Sequence, residues 1–384
     1  MTSLAELLPA GGLVAFGDGA GTPVELWDDV RRLVAERDDA RLLLGWWFAP
    51  PEGVADLPPD RSRGLISGFG MRRAIDAGQV GFVPARYGAI PSLLRGALRP
   101  DLLVAALTPV PGGFAFTTES SWMRAAVGAG ARVAAVIRPG APTCDVEPPL
   151  PVEQVQVLVE GSGRPQVLAA ATPTDQQQAV AAHVASLIPE GSRVQVGPGG
   201  LGAAVYAALT VPVHVDTGLV TDPVVDLDRR GLLLGSPIAP YVAGTELLYD
   251  WAPGRVRMSG VEVTHDPARL FGGLPLHAVN TGIEIDLDGQ VNAEVAGGSW
   301  AGGVGGQPDY AAAAAASPTG LSIVALPSTN RGRPTLVRTL GGPVTTPGHD
   351  VEVVVTDRGV ADLRGLSRPE RRAALAHLWG SDAP

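Results

Sequence analysis

The stretches "LLPAGGLVAFGDGAG" (7–21) and "LIPEGSRVQVGPGGL" (187–201) align without a gap at an offset of 180. Leu7, Pro9, Gly11, Val14, Gly17 and Gly19 match Leu187, Pro189, Gly191, Val194, Gly197 and Gly199. Each copy reads as a helix end, a turn, a short apolar strand and a glycine-rich turn leading into a second helical stretch. A chain that repeats such a unit is constrained to two α/β halves built alike. The expected division is 1–180 and 181–384.

Further apolar runs bounded by turns read as strands: "LLVAAL" (102–107), "ARVAAVIR" (131–138), "LSIVAL" (321–326) and "DVEVVVT" (350–356). They alternate with helical pieces such as "SWMRAAVGAG" and "DQQQAVAAHVASLI", which predicts largely parallel sheets in open α/β domains. "APTCDVEPPLPVEQ" (141–154) reads as a proline-rich connector, and "YAAAAAASPTG" as a helix stopping at Ser317-Pro318. "LSRPERRAALAHLWG" reads as a capped helix starting near Ser367 or Pro369.

Composition removes several kinds of chemistry. All 29 basic residues are arginine, which excludes a lysine Schiff base and a nucleotide-binding loop ending in Gly-Lys. A net charge of −10 argues against general affinity for nucleic acid. The single cysteine, Cys144, can build neither a disulfide framework nor a cysteine zinc site. "MTSLAELLPAGG" has neither the basic start nor the apolar core of a secretory signal, and no run is a good membrane span, so a cytoplasmic protein is expected.

The six histidines, His183, His214, His265, His277, His349 and His377, show no metal-binding spacing. His277 approaches the carboxylate pair discussed next, although a structural histidine is the plainer reading. No G-x-S-x-G elbow is present, and the glycine turns lack a placed acid for a ribose. "NTGIEIDLDGQVNAE" (280–294) is different. On a strand, Glu284 and Asp286 share one face, with Ile283, Ile285 and Leu287 on the other. "AGGSWAGGVGGQPDY" (296–310) follows, with six glycines in fifteen residues. A carboxylate is a weak nucleophile that suffices when the leaving group is a thiolate, because a thiol has a pKa of about 8.5. Bare N–H groups of a glycine loop stabilise charge growing on a carbonyl oxygen, at about 3 kcal/mol of barrier per donor. The pairing therefore fits acyl exchange on a thioester. The plain alternatives are a wet-faced strand and a surface loop, and Asp286 reads best as a turn carboxylate.

"GIEIDLDGQVNAE", "GGVGGQPDY", "SIVALPST" and "VTTPGHDVEVVVTDRGVADLRGLSRPERR" resemble the acetyl-CoA hydrolase/transferase family. Within it the chain is most similar to the 4-hydroxybutyrate CoA-transferases, which are class I CoA-transferases. "GFVPARYGAIPSLLRG" and "HVASLIPEGSRVQVGPGGLGAAVYAAL" extend the resemblance upstream, and "GTELLYDW" adds a further piece. It implies two similar open α/β domains of the class I CoA-transferase type, an active site between them and CoA on the second. Glu284 takes the nucleophile's place in an E-x-D-x-x-G-Q pattern completed by Asp286, Gly289 and Gln290. Gly305 and Gly306 become oxyanion donors, with Gly302, Gly303 and Gln307 in the loop over the thioester. Thr108 stands in the place of Glu284 in the first half, if Gly113 is paired with Gly289.

The implied reaction passes through an acyl-glutamyl anhydride and a glutamyl-CoA thioester at Glu284, with acyl-CoA and a small carboxylic acid as substrates. No tightly bound cofactor or metal is implied, nor any nucleic-acid or membrane partner, and a homodimer or larger homo-oligomer is. The same residue would serve an acyl-CoA hydrolase if water reached the intermediate. The chain departs from the family in places. The usual His-Thr/Ser-Glu-Met run is replaced by "HVDTGLVTDPVVD" (214–226), losing its glutamate, and Pro308 replaces an aliphatic residue. The first half is trimmed around 140–165. The altered segment motivates a non-catalytic CoA- or acyl-CoA-binding protein as a rival. CoA's phosphates invite arginine, and Arg331 and Arg333 in "STNRGRP" are candidates by position, with solvated surface arginines as the plain alternative.

Overall fold

Leu13–Phe16 is buried along its whole length, as a strand covered on both faces must be. In the computed structural model, which describes residues 3–161 and 164–384, it lies inside a parallel sheet. The first two residues of the opening stretch lie outside the described ones. From edge to edge the strands are Gly81–Phe82, Ser62–Gly64, Arg41–Leu44, Leu13–Phe16, Leu102–Val110, Arg132–Ile137 and Val155–Glu160. Gly113–Phe116 returns antiparallel on Leu102–Val110. The helix Trp27–Glu36 buries Trp27, Val30, Leu33 and Val34, the spacing of one helical face.

The second sheet runs His214–Val215, Arg193–Val196, Leu276–Asn280, Leu321–Ala325, Val353–Thr356 and Gly359–Asp362. Its strands are parallel except for the last pair, a hairpin. Leu13–Phe16 and Arg193–Val196 stand at the offset of the sequence repeat. Gly17 N–H donates to the Val104 carbonyl and Gly197 N–H to the Val279 carbonyl, so the two glycine turns leave their sheets in the same way. The expected α/β class with largely parallel sheets is what the structure contains. The C-terminal helix spans Arg368–Trp379, with Ser367 and Glu370 forming a capping box.

Backbone contacts divide the chain into two units, Met1–Leu168 with Ala239–Thr264, and Ala169–Ile238 with His265–Pro384. These differ from an expected break at 180 in two respects. The helix Asp175–Ala185 packs on the helix Gly200–Ala208 and therefore belongs to the second unit. Residues 239–264 belong to the first, where Asp145 bridges to Met258 and Glu119 to Tyr241. Nothing local in a sequence marks such an exchange. Within the described residues no helix is long and apolar enough to cross a membrane.

The first unit contains two buried acids. Asp18 accepts from Tyr241 Oη (2.8 Å), Trp122 Nε1 (3.0 Å) and Ser121 Oγ (3.2 Å). Glu119 accepts from the Gly21 N–H and the hydroxyls of Thr117 and Thr118. Burial pushes Asp18 up to about 6 and Glu119 from 4.5 up to about 7. The folded chain therefore holds protons that the unfolded chain has already lost, so this contribution to stability falls as pH rises from about 4 to about 7. Glu119→Gln keeps an acceptor in place and cannot ionise. The urea midpoint of the variant is expected to lose part of the wild-type decline between pH 5 and pH 8, worth about 3 kcal/mol.

Candidate active site

Glu284 opens the short strand Glu284–Asp286, flanked by Val291–Asn292 (antiparallel) and Leu336–Val337 (parallel) in a small three-stranded sheet. Directly paired residues on antiparallel strands share a face. Glu284 is paired with Asn292, whose Nδ2 donates to Glu284 Oε1 at 2.9 Å. Asn292 is fully buried, and its Oδ1 accepts from the N–H groups of Glu294 and Val295, both at 3.0 Å. That arrangement fixes which end of the amide faces the carboxylate. The Gly341 N–H donates to the same Oε1. Oε2 has no hydrogen-bond partner among the described residues, and the side chain is half-buried.

Asp286 does other work. Its Oδ1 accepts from the N–H groups of Asp288 and Gln290, both at 2.9 Å, and its Oδ2 from Gln290 Nε2 at 2.7 Å. With Gly289 at φ +79, the D-x-x-G-Q part of the pattern is the chemistry of a tight turn, and Glu284 alone is left over.

The glycine run folds back onto this sheet. Ala301 and Gly302 N–H donate to the Glu294 carbonyl at 2.7 and 3.1 Å. A Cβ on Gly302 would lie 2.2 Å from the Ala293 carbonyl oxygen, so backbone approaches backbone where no side chain fits. Gln307 Nε2 donates to Thr346 Oγ1 at 3.0 Å, and the neighbouring Thr345 hydroxyl donates to the Glu294 carboxylate at 2.9 Å. Burial raises the Glu294 pKa. Glu284, Gly302 and Gln307 therefore belong to one hydrogen-bonded framework, in which Asn292, Glu294, Gly341 and Thr345 were not anticipated. Gly303 is half-buried in the irregular backbone beyond it.

Gly305, at φ +57, and Gly306 lead into the helix Gln307–Ala316, and neither donates to Glu284. A Cβ on Gly306 would stand 2.3 Å from His265 Nε2. His265 is fully buried, and burial pushes its pKa down to about 3, so the imidazole against the loop is neutral. Gly306→Ala forces the ring or the helix to shift and is expected to cost about 1–3 kcal/mol in thermal unfolding. His277, by contrast, is buried within Leu276–Asn280 in the main sheet.

The altered segment supplies a second carboxylate. Asp216 follows His214–Val215 at the carboxyl end of a main-sheet strand, where parallel α/β sheets place ligands. It is 1% exposed and takes a two-pronged contact from Arg269 (2.7 and 3.0 Å) and a longer one from Arg193 (3.5 Å). Tyr310 Oη lies 3.5 Å away, and the Tyr310 ring meets that of His265 edge-on at 5.0 Å. Asp216 thus adjoins the glycine loop through two rings. Among the described residues, no group of three His, Cys, Asp or Glu side chains is placed to hold a metal ion.

Fold and sequence together define an enzyme of the CoA-transferase type. Residues 244–382 match the acetyl-CoA hydrolase/transferase C-terminal domain. It is 27% identical to the 4-hydroxybutyrate coenzyme A transferase of Clostridium kluyveri, over 95% of this chain and 90% of that one. It is 28% identical to the butyryl-CoA:acetate CoA-transferase of Anaerostipes caccae, over 81% and 76%. RipA from Yersinia pestis shares the fold, with a TM-score of 0.86 and 22% identity over 99% of this chain and 93% of that one.

Proposed function

We propose that the protein moves CoA between an acyl-CoA and a small carboxylate, using a side-chain carboxylate of the second unit as covalent carrier. The observation that carries this reading is the state of Glu284: one oxygen is held by two donors and the other is free to attack. Oε2 attacks the acyl carbonyl and CoA leaves as thiolate, giving an acyl-glutamyl anhydride. The thiolate then attacks the glutamyl carbonyl and releases the first acid. Charge collects on Oε1 in that step, where Asn292 and Gly341 already donate. An acceptor carboxylate reverses the sequence. The C. kluyveri and A. caccae relatives, named for such exchanges, support the class of substrate.

Asp216 is the competing carrier, favoured by its place at the carboxyl edge of the main sheet and opposed by the two arginines that engage it. Mass spectrometry after incubation with a panel of acyl-CoAs and no acceptor separates the possibilities. Because the chain has no lysine, trypsin places Asp216 on residues 194–229 and Glu284 on 270–331. A CoA adduct on 270–331 is expected; an adduct on 194–229 transfers the role to Asp216. Free CoA released without an acceptor favours acyl-CoA hydrolysis, and CoA bound with neither adduct nor release leaves a binding protein. Gly305→Val is expected to lower the rate far more than CoA affinity, whereas equal losses would make the loop a binding element.

A further inference from the structure

The hairpin Thr329–Asn330 and Arg333–Pro334 turns through Arg331 and Gly332. Arg331 has φ +50 and Gly332 φ +75, the two left-handed positions of a type I′ turn. Asn-Gly fits such a turn without strain, whereas arginine at the first position costs energy that a neutral surface would not retain. Only one other described non-glycine residue, Ser121, has a positive φ. Arg331, Arg333 and Arg338 are all exposed, and none has an ion pair or hydrogen bond among the described residues. In a chain of net charge −10, three unengaged guanidinium groups within eight residues form an unusual local excess of positive charge.

Their segment is also the one that reaches Glu284. Leu336–Val337 pairs with Glu284–Asp286, and a few residues later Gly341 donates to the Glu284 carboxylate. The hairpin tip is five residues before Leu336, roughly 15 Å of extended chain at about 3.3 Å per residue. A CoA thioester has its acyl carbonyl at one end of a long pantetheine arm and its phosphates at the other. We propose that Arg331, Arg333 and Arg338 hold the phosphate groups of the CoA substrate while its thioester end lies at the Glu284 sheet. The inference rests on the CoA-transferase reading above. Arginine suits the task because its planar fork meets phosphate oxygens in pairs.

Calorimetric titration of the full chain with CoA, 3′-dephospho-CoA and pantetheine tests it. Replacing all three arginines by alanine is expected to raise the Kd for CoA roughly 30-fold or more and to leave pantetheine binding unchanged. Arg331→Asn is expected to raise the CoA Kd about threefold to tenfold while its thermal midpoint stays level or rises, since asparagine relieves the turn. A purely structural Arg331 would give the opposite pattern, with a lower midpoint and an unchanged Kd. If the wild type binds CoA and the triple variant binds it equally well, the arginines are solvated surface groups and this proposal alone fails. If the wild type binds no CoA, the functional reading fails and this proposal with it. A loss that is equal for CoA and pantetheine would also overturn it, because pantetheine carries no phosphate.

Discussion

Arg269→Met is expected to lower the unfolding free energy by about 3–5 kcal/mol, the usual consequence of removing one partner from a buried ion pair. Asp216 is almost wholly inaccessible, and Arg269 supplies its two short contacts. Arg193 stands farther off and spends its donors on the Arg269 and Leu270 carbonyls. Methionine preserves much of the bulk and removes the charge, so the loss reports an uncompensated carboxylate. Adding Asp216→Asn to Arg269→Met is expected to recover part of that loss, because the amide carries no charge to strand. A urea titration of the single and double variants measures both effects. A loss below about 1 kcal/mol would mean that the pair behaves as an exposed one, contrary to its burial.

Glu284→Gln is expected to lower turnover by about a thousandfold or more and to leave the Kd for CoA near that of the wild type. Glutamine keeps an oxygen for Asn292 and Gly341, so the strand and its hydrogen bonds survive. What disappears is the carboxylate oxygen proposed to attack the thioester. Steady-state kinetics with a carboxylate acceptor, paired with CoA titration, separate the two readouts. Retained turnover would remove Glu284 from the reaction and leave Asp216 as the carboxylate to pursue. The Asp216 side chain is then best probed by adduct mapping, since substitution there also leaves two arginines unbalanced.

Much of this architecture was legible before any coordinates. The repeat at an offset of 180 falls on two equivalent strands, and the apolar runs from Leu102, Arg132, Leu321 and Val353 are strands because parallel sheets demand unbroken hydrophobic stretches. The E-x-D-x-x-G-Q pattern could be divided into a turn and a surplus glutamate, since Asx turns have a recognisable spacing. The surroundings of Glu284 were harder to anticipate. Asn292 is eight residues from it and Gly341 fifty-seven, and no local pattern records which distant backbone N–H a folded chain will deliver. The neutralisation of Asp216 was hidden for the same reason, because Arg269 lies fifty-three residues on. Sequence comparison of the two halves did place Thr108 opposite Glu284. In the structure Thr108 pairs with Ala115 across a hairpin as Glu284 pairs with Asn292, so one copy lacks both the carboxylate and its amide.

The chain leaves the first unit after Leu168, returns at Ala239 and departs again after Thr264. Three covalent strands therefore join the two units. A protease would have to cleave at all three junctions before either unit could diffuse away as a separate body, and a single nick would leave the parts tethered. Neither gene half ends where a unit ends. The ribosome must accordingly have synthesised Thr264 before the first unit has all of its residues, by which time the glycine turn of the second repeat has long emerged.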